Sequence, residues 1–293
     1  MLKRVSNASR LLAGKRSYSG YQLKQIWHVL YNLLQIPTHG CVINLTWKER
    51  RSMNTVKKLI VAIALVVAVE SWSASAQTGE GCMELLKCED LCMWQEPVGE
   101  WKIVGDAGKN AEDGKKLSVK DGKGAMFNGE KGRTKNIISR EEFGDVELHV
   151  EFMVPEKSNS GVYLMARYEV QVFDSWGVEH PKYSDCGGIY QRWADNKGFE
   201  GRPPKMNASR KPGEWQSYDI TFKAPKFDAS GNKVANAVFV KVVHNGTVIH
   251  ENQEVTGPTR ASTYNDEKAR GPLMLQGDHG PVAYRNIRIR PLK

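Results

Sequence analysis

The sequence is short of the signatures that mark several large enzyme classes. It has no P-loop, no G-x-G-x-x-G after a strand, no G-x-S-x-G elbow and no H-E-x-x-H. Nucleotide-dependent, serine-hydrolase and zincin chemistry therefore lack their usual apparatus. No segment sustains a 3.6-residue apolar period over several turns, apart from a short helix expected near residues 83–93, so a helical bundle is excluded. No apolar run reaches the ~20 residues that a membrane-spanning helix needs. Acidic residues are scarce in one place only: residues 1–76 hold eleven Lys and Arg against Glu49 and Glu70 alone. Of 42 bases and 33 acids in the 293-residue chain, the last 217 residues thus hold 31 of each, and the formal charge of +9 belongs entirely to the leader. The electrostatic footprint of a nucleic-acid binder is absent from the remainder, and no nucleic-acid partner is expected.

The leader has internal order. Lys57 and Lys58 precede eleven apolar residues, 59–69, and the small-residue run Ser73-Ala74-Ser75-Ala76 follows. Positive, apolar and small segments in that order read as a signal peptide over 53–76, cleaved before Gln77. No stable membrane span is expected after cleavage, and the location is periplasmic or secreted. Residues 1–52 do not fit a leader that begins at Met53 and are read as an over-extended reading frame. Four cysteines follow Ala76: Cys82, Cys88, Cys92 and Cys186. In an exported protein they read as two disulfides with three pairings open, and residues 77–94 as a stapled N-terminal segment.

From residue 95 to 293 strand patterns dominate. Residues 145–154 alternate strictly, with Val146, Leu148, Val150, Phe152 and Val154 on one face and Glu147, His149 and Glu151 on the other. Further strands are expected at 161–166, 168–173, 215–222, 237–244, 247–251, 272–276 and 283–290. Asn245-Gly246 supplies a type I′ turn between two of them. Many short strands punctuated by Gly, Pro and Asn indicate an all-β sandwich of two antiparallel sheets. Two long polar segments, 195–214 and 252–271, are expected to be either walls of a site or solvated connections.

Two stretches carry the candidate chemistry. On strand 168–173, Glu169, Gln171 and Phe173 share one face and Tyr168, Val170 and Val172 the other. A carboxylate and an amide then stand about 7 Å apart on what reads as a wet face, and a β-bulge would turn Asp174 toward them. After the strand at 272–276, Gly277-Asp278-His279-Gly280 exposes a His beside a carboxylate, an arrangement suited to a general base. Arg285 and Asn286 follow, to bind a sugar hydroxyl or to pair with acids on a neighbouring strand. Tyr163, Trp176, Tyr190, Trp193 and Trp215 offer faces on which a sugar ring can stack.

Taken in order, Glu142-Phe143-Gly144-Asp145-Val146-Glu147-Leu148, Asn159-Ser160-Gly161-Val162-Tyr163-Leu164, Tyr168 to Asp174, Leu275-Gln276 with His279-Gly280, and Arg285-Asn286-Ile287 resemble the 3-keto-disaccharide hydrolase domain family. The resemblance covers residues 95–293, while the cysteine-bearing segment 82–92 departs from the family's usual opening. It implies a concanavalin A-like jelly roll and a carbohydrate substrate, a glycoside oxidised to a ketone at carbon 3, with no cofactor. On that reading Glu169 and His279 are base and acid in either order. Gln171, Asp174, Asp278, Arg285, Tyr190 and Trp176 bind or orient the substrate. Retaining β-glucanases of the same general fold carry Glu-x-Asp-x-x-Glu on a strand. Here Glu169, Gln171 and Asp174 occupy those positions, so the two carboxyls about 5–5.5 Å apart that double displacement requires are not assured. A conventional glycosidase ranks second and a non-catalytic carbohydrate-binding module third.

Overall fold

The computed structural model describes residues 81–87 and 90–292. The chain divides into the units Met1–Trp72 and Ser73–Lys293, and every described residue belongs to the second. The leader, its apolar run and the expected cleavage site lie outside the described residues. Among the described residues no helix is long and apolar enough to cross a membrane.

Two antiparallel sheets make the fold, an all-β jelly-roll sandwich. The larger contains β1 (Met83–Glu84), β2 (Lys102–Lys109), β3 (Leu117–Phe127), β5 (Val146–Met153), β10 (Gln216–Lys223), β13 (Ala237–His244), β14 (Thr247–Val255) and β16 (Ala283–Pro291). Its order is β14-β13-β10-β5-β16-β3-β2, with β1 paired to β16. The smaller contains β4 (Ile137–Phe143), β6 (Asn159–Leu164), β7 (Tyr168–Phe173) and β15 (Gly271–Leu275), in the order β4-β15-β6-β7. Two ribbons complete the set: β8 (Arg192–Ala194) with β9 (Lys197–Phe199), and β11 (Lys226–Phe227) with β12 (Lys233–Ala235).

The alternation of β5 sets the core. Val146, Leu148, Val150 and Phe152 are at most 1% exposed and pack with Val162, Val170 and Val172 of the facing sheet. Each such burial is worth about 1.5–3 kcal/mol. Asn245 and Gly246 both have positive φ, as a type I′ turn requires, and join β13 to β14.

Three expectations need correction. The segment near 83–93 is not a helix: Met83 and Glu84 pair with Ile289 and Arg288, and Leu85 N–H donates to Ile287 O. That pairing, with Trp94 fully buried and its Nε1–H on Leu85 O, anchors the segment. The four cysteines do not form two disulfides. Cys92 is disulfide-bonded, but Cys82 and Cys186 are free thiols. Cys186 is buried between the sheets with Sγ 3.1 Å from Tyr218 Oη, remote in character from any N-terminal staple. Finally, β6 and β7 have no wet face; both faces are buried from Ser160 to Val172. Residues 187–190 and 259–263 also hydrogen-bond along β7 and the β6–β7 turn, so β7 is not a free edge of its sheet.

Candidate active site

The outward face of the small sheet gathers polar groups, whereas the inward face is mainly apolar, with the buried Ser160 hydroxyl 2.8 Å from Tyr284 Oη. Met274, Tyr163 and Glu169 stand in register on β15, β6 and β7. Tyr190 N–H donates to Glu169 O, which extends that row by one more strand. Glu169 is 2% exposed. Burial, the dominant influence, raises its carboxyl to about 8; the hydrogen bond from the Tyr163 hydroxyl opposes this and the nearby Asp278 charge adds to it. Burial also raises the Tyr163 and Tyr190 hydroxyls, reinforced by the Glu169 charge. Gly161 explains how the carboxyl fits. A Cβ at this position would overlap Glu169 Oε1 and the Tyr163 ring. Gly161→Ala is therefore expected to displace Glu169 and lower turnover by at least ~10-fold while the protein remains folded, to be read from steady-state rates and thermal melts.

The turn after β15 reaches the rim of this face. Gln276 N–H donates to Gly161 O, and Ser158 Oγ donates to Pro281 O. Asn128 Nδ2 donates to both Gly277 O and Gly280 O, while Gly277 N–H donates to Asn136 Oδ1. Between these clamps Asp278 and His279 are exposed, with His279 Nδ1 and Asp278 Oδ1 2.5 Å apart. Asp278 is close enough to act electrostatically on both Glu169 and Tyr163. Asp278 and Tyr190 are thus tied to Glu169 through charge, and His279 is tied to this group only through its contact with Asp278.

The remaining candidates separate. Gln171 is buried beside Glu169 on the same face, its Oε1 accepting from Val172 N–H. Asp174 is not turned toward Glu169, because β7 pairs with β6 from Asn159–Phe173 to Leu164–Tyr168 without a bulge. Its carboxylate accepts instead from the N–H groups of Lys157 and Trp176. With Trp176, which is 53% exposed, it lines an open groove shared with Lys109, Glu156 and Lys211. Arg285 is on the other side of the molecule. It projects from the outer face of the large sheet, donating to Glu151 at 2.6 Å and stacking on Trp215 at 4.1 Å. Asn286 also donates to Glu151. That face holds a network of its own. His149 is raised to about 9: burial, the strongest influence, opposes the shift, and Asp219 and Glu151 overcome it. Glu151 falls to about 2: burial opposes, and His149, Asn286 and Arg285 together prevail. Arg285 is therefore a structural partner of Glu151 rather than a neighbour of Glu169.

Two groups at the site had no signal as ligand contacts. Asn159 Oδ1, on the same strand face as Gly161 and Tyr163, is buried without a hydrogen-bond partner among the described residues, an acceptor suited to a sugar hydroxyl. Thr259 Oγ1 accepts from Glu169 N–H and donates to Arg167 O, binding the second polar segment to β7.

The family model described as the 3-keto-alpha-glucoside-1,2-lyase-like domain matches residues 89–290. Two solved structures from Parabacteroides distasonis, each described provisionally as a glycosyl hydrolase, are similar. One is 28% identical over 73% of this chain and 84% of its own, with a TM-score of 0.53. The other is 20% identical over 72% of this chain and 99% of its own, with a TM-score of 0.47. No curated protein sequence matches the chain significantly.

Proposed function

Since the chain belongs to the 3-keto-alpha-glucoside-1,2-lyase-like domain family, we propose that it cleaves glycosides carrying a ketone at carbon 3, with Glu169 as general acid and His279 as general base. The ketone acidifies the C2–H bond. His279 removes that proton, and the electron pair forms an enolate across C2 and C3. Collapse of the enolate forms the C1–C2 double bond and breaks the bond from C1 to the leaving oxygen, which takes a proton from Glu169. Water then adds at C1 and a proton returns to C2, giving the 3-keto sugar and the free alcohol.

The observation that carries this reading is the buried carboxyl of Glu169. With its pKa at about 8 it holds a proton at neutral pH, as an acid must. His279 suits the base, because an Asp278 carboxylate accepting from Nδ1–H leaves the Nε2 lone pair available. Tyr163, Tyr190 and Asn159 supply hydrogen-bonding groups around the sugar. The eleven-residue apolar run and small-residue site of the leader support export, so the substrate would be met in the periplasm or outside the cell.

Purified protein incubated with a 3-keto-glucoside and with the unoxidised glucoside tests the proposal. Cleavage confined to the oxidised compound is expected. Cleavage of the plain glucoside would replace it with conventional glycosidase chemistry, and binding without turnover with a carbohydrate-binding module.

A further inference from the structure

The border of the small sheet beside Glu169 carries a cation that this chemistry leaves unused. Tyr190 N–H donates to Glu169 O, Thr259 Oγ1 accepts from Glu169 N–H, and Arg260 N–H donates to Gln191 O at 2.8 Å. The backbone of residues 190–191 and 259–260 is thereby fixed along the outer edge of β7, and Trp193 follows two residues after Gln191 in β8. On it the Arg260 guanidinium lies over the Trp193 ring, 4.0 Å from the centroid. Arg260 is exposed, and Trp193 is 43% exposed. The neighbouring arginines are committed elsewhere: Arg192 to Glu200 and Thr256, Arg167 to Asp266 and Met165 O. The Arg260 side chain makes no hydrogen bond and no ion pair among the described residues.

A guanidinium stacked on an indole keeps its in-plane N–H fork free, and that fork matches a carboxylate in bidentate geometry. The placement of charge gives it a direction. Asp278 follows β15 on one side of Glu169, while Arg260 lies beyond β7 on the other. An anionic group on the substrate is repelled from the first side and drawn to the second. From β7 to the segment bonded to Gln191 is about two strand spacings, ~10 Å, the reach of one further ring bearing a carboxylate.

We infer that Arg260, held flat on Trp193, binds a carboxylate on the leaving group, so that the preferred substrates are 3-keto-glycosides of acidic aglycones; this rests on the reaction proposed above. The test compares kcat/KM for 4-carboxyphenyl and 4-carbamoylphenyl 3-keto-glucosides, each in both anomers, using the full chain and R260Q. The native protein is expected to favour the carboxylate by at least ~10-fold, a ratio that shrinks with added salt. R260Q should bring the ratio to within about twofold of one, with R260K intermediate because an ammonium lacks the fork. No preference in the native protein, or equal slowing of both substrates in R260Q, overturns the inference. Calorimetric titration with the unoxidised 4-carboxyphenyl glucoside separates it from the reaction itself. If neither 3-keto-glucoside is cleaved, the proposed reaction fails, yet binding at least ~10-fold weaker in R260Q upholds the site and equal binding sinks it.

Discussion

Glu169→Gln is expected to lower turnover of a 3-keto-glucoside by at least ~100-fold and, at the same time, to make the protein more stable. The loss follows from chemistry, since an amide cannot deliver the proton that the leaving oxygen needs. Shape is not at issue: Gln is isosteric and its oxygen still accepts from the Tyr163 hydroxyl. The pH profile discriminates the role. With Glu169 as acid, kcat in the native protein falls as pH rises through about 8. A rate that instead rises through that pH would reverse the assignment and make Glu169 the base.

The gain in stability comes from linkage. The folded-state pKa of about 8 lies above the ordinary carboxyl value of 4.5. Between those two pH values the unfolded chain has released a proton that the folded chain retains. The unfolded state therefore binds fewer protons, and stability declines as pH rises across this window. Above about 8 both states are ionised and the penalty is constant. Gln carries no such penalty. The unfolding free energy of the variant should match that of the native protein near pH 4.5, exceed it progressively toward pH 8, and hold a constant margin beyond, on the order of a few kcal/mol, with the melting temperature rising in parallel. A margin independent of pH would mean that Glu169 titrates normally and that its burial does not govern its chemistry.

These expectations depend on features that were unequally legible in the residues. The strict alternation at Val146–Phe152 and the Asn245-Gly246 turn announce their strands because one buried face and one required backbone geometry leave little freedom. β2 and β3 lack such a pattern: residues 118–124 of β3, SVKDGKG, are exposed or half-buried, so nothing in their composition separates a strand from a loop. Parity placed Glu169 and Gln171 on one face correctly, but parity is local. It does not tell that the fold buries that face, and so hides the very burial that raises Glu169. It also does not tell which sheet a strand joins. Arg285 follows the His279 turn by only a few residues, yet β16 crosses to the large sheet and carries it to Glu151. Arg260 had no signal beyond its place in a polar segment, since its position depends on backbone pairing with Gln191 across a long stretch of sequence.

His279→Ala should be as damaging as the loss of Glu169, at least ~100-fold in turnover, for a different reason. The exposed ring is expected to contribute little to folding, so the variant should melt within a few degrees of the native protein. Its Nδ1 is held 2.5 Å from Asp278 Oδ1, and in the proposed reaction a carboxylate there would keep the proton on Nδ1 and leave Nε2 to act as the base. Replacing a base by a methyl group leaves space, so added imidazole should restore part of the lost rate in His279→Ala and none in Glu169→Gln. Asp278→Ala should cost less than His279→Ala, roughly ~10-fold, because it removes the orientation of the ring but not the ring. A His279→Ala protein that turns over at the native rate, or one whose loss imidazole cannot relieve at any concentration, would remove His279 from the proton-transfer role and leave the base to be sought among the tyrosines around Glu169.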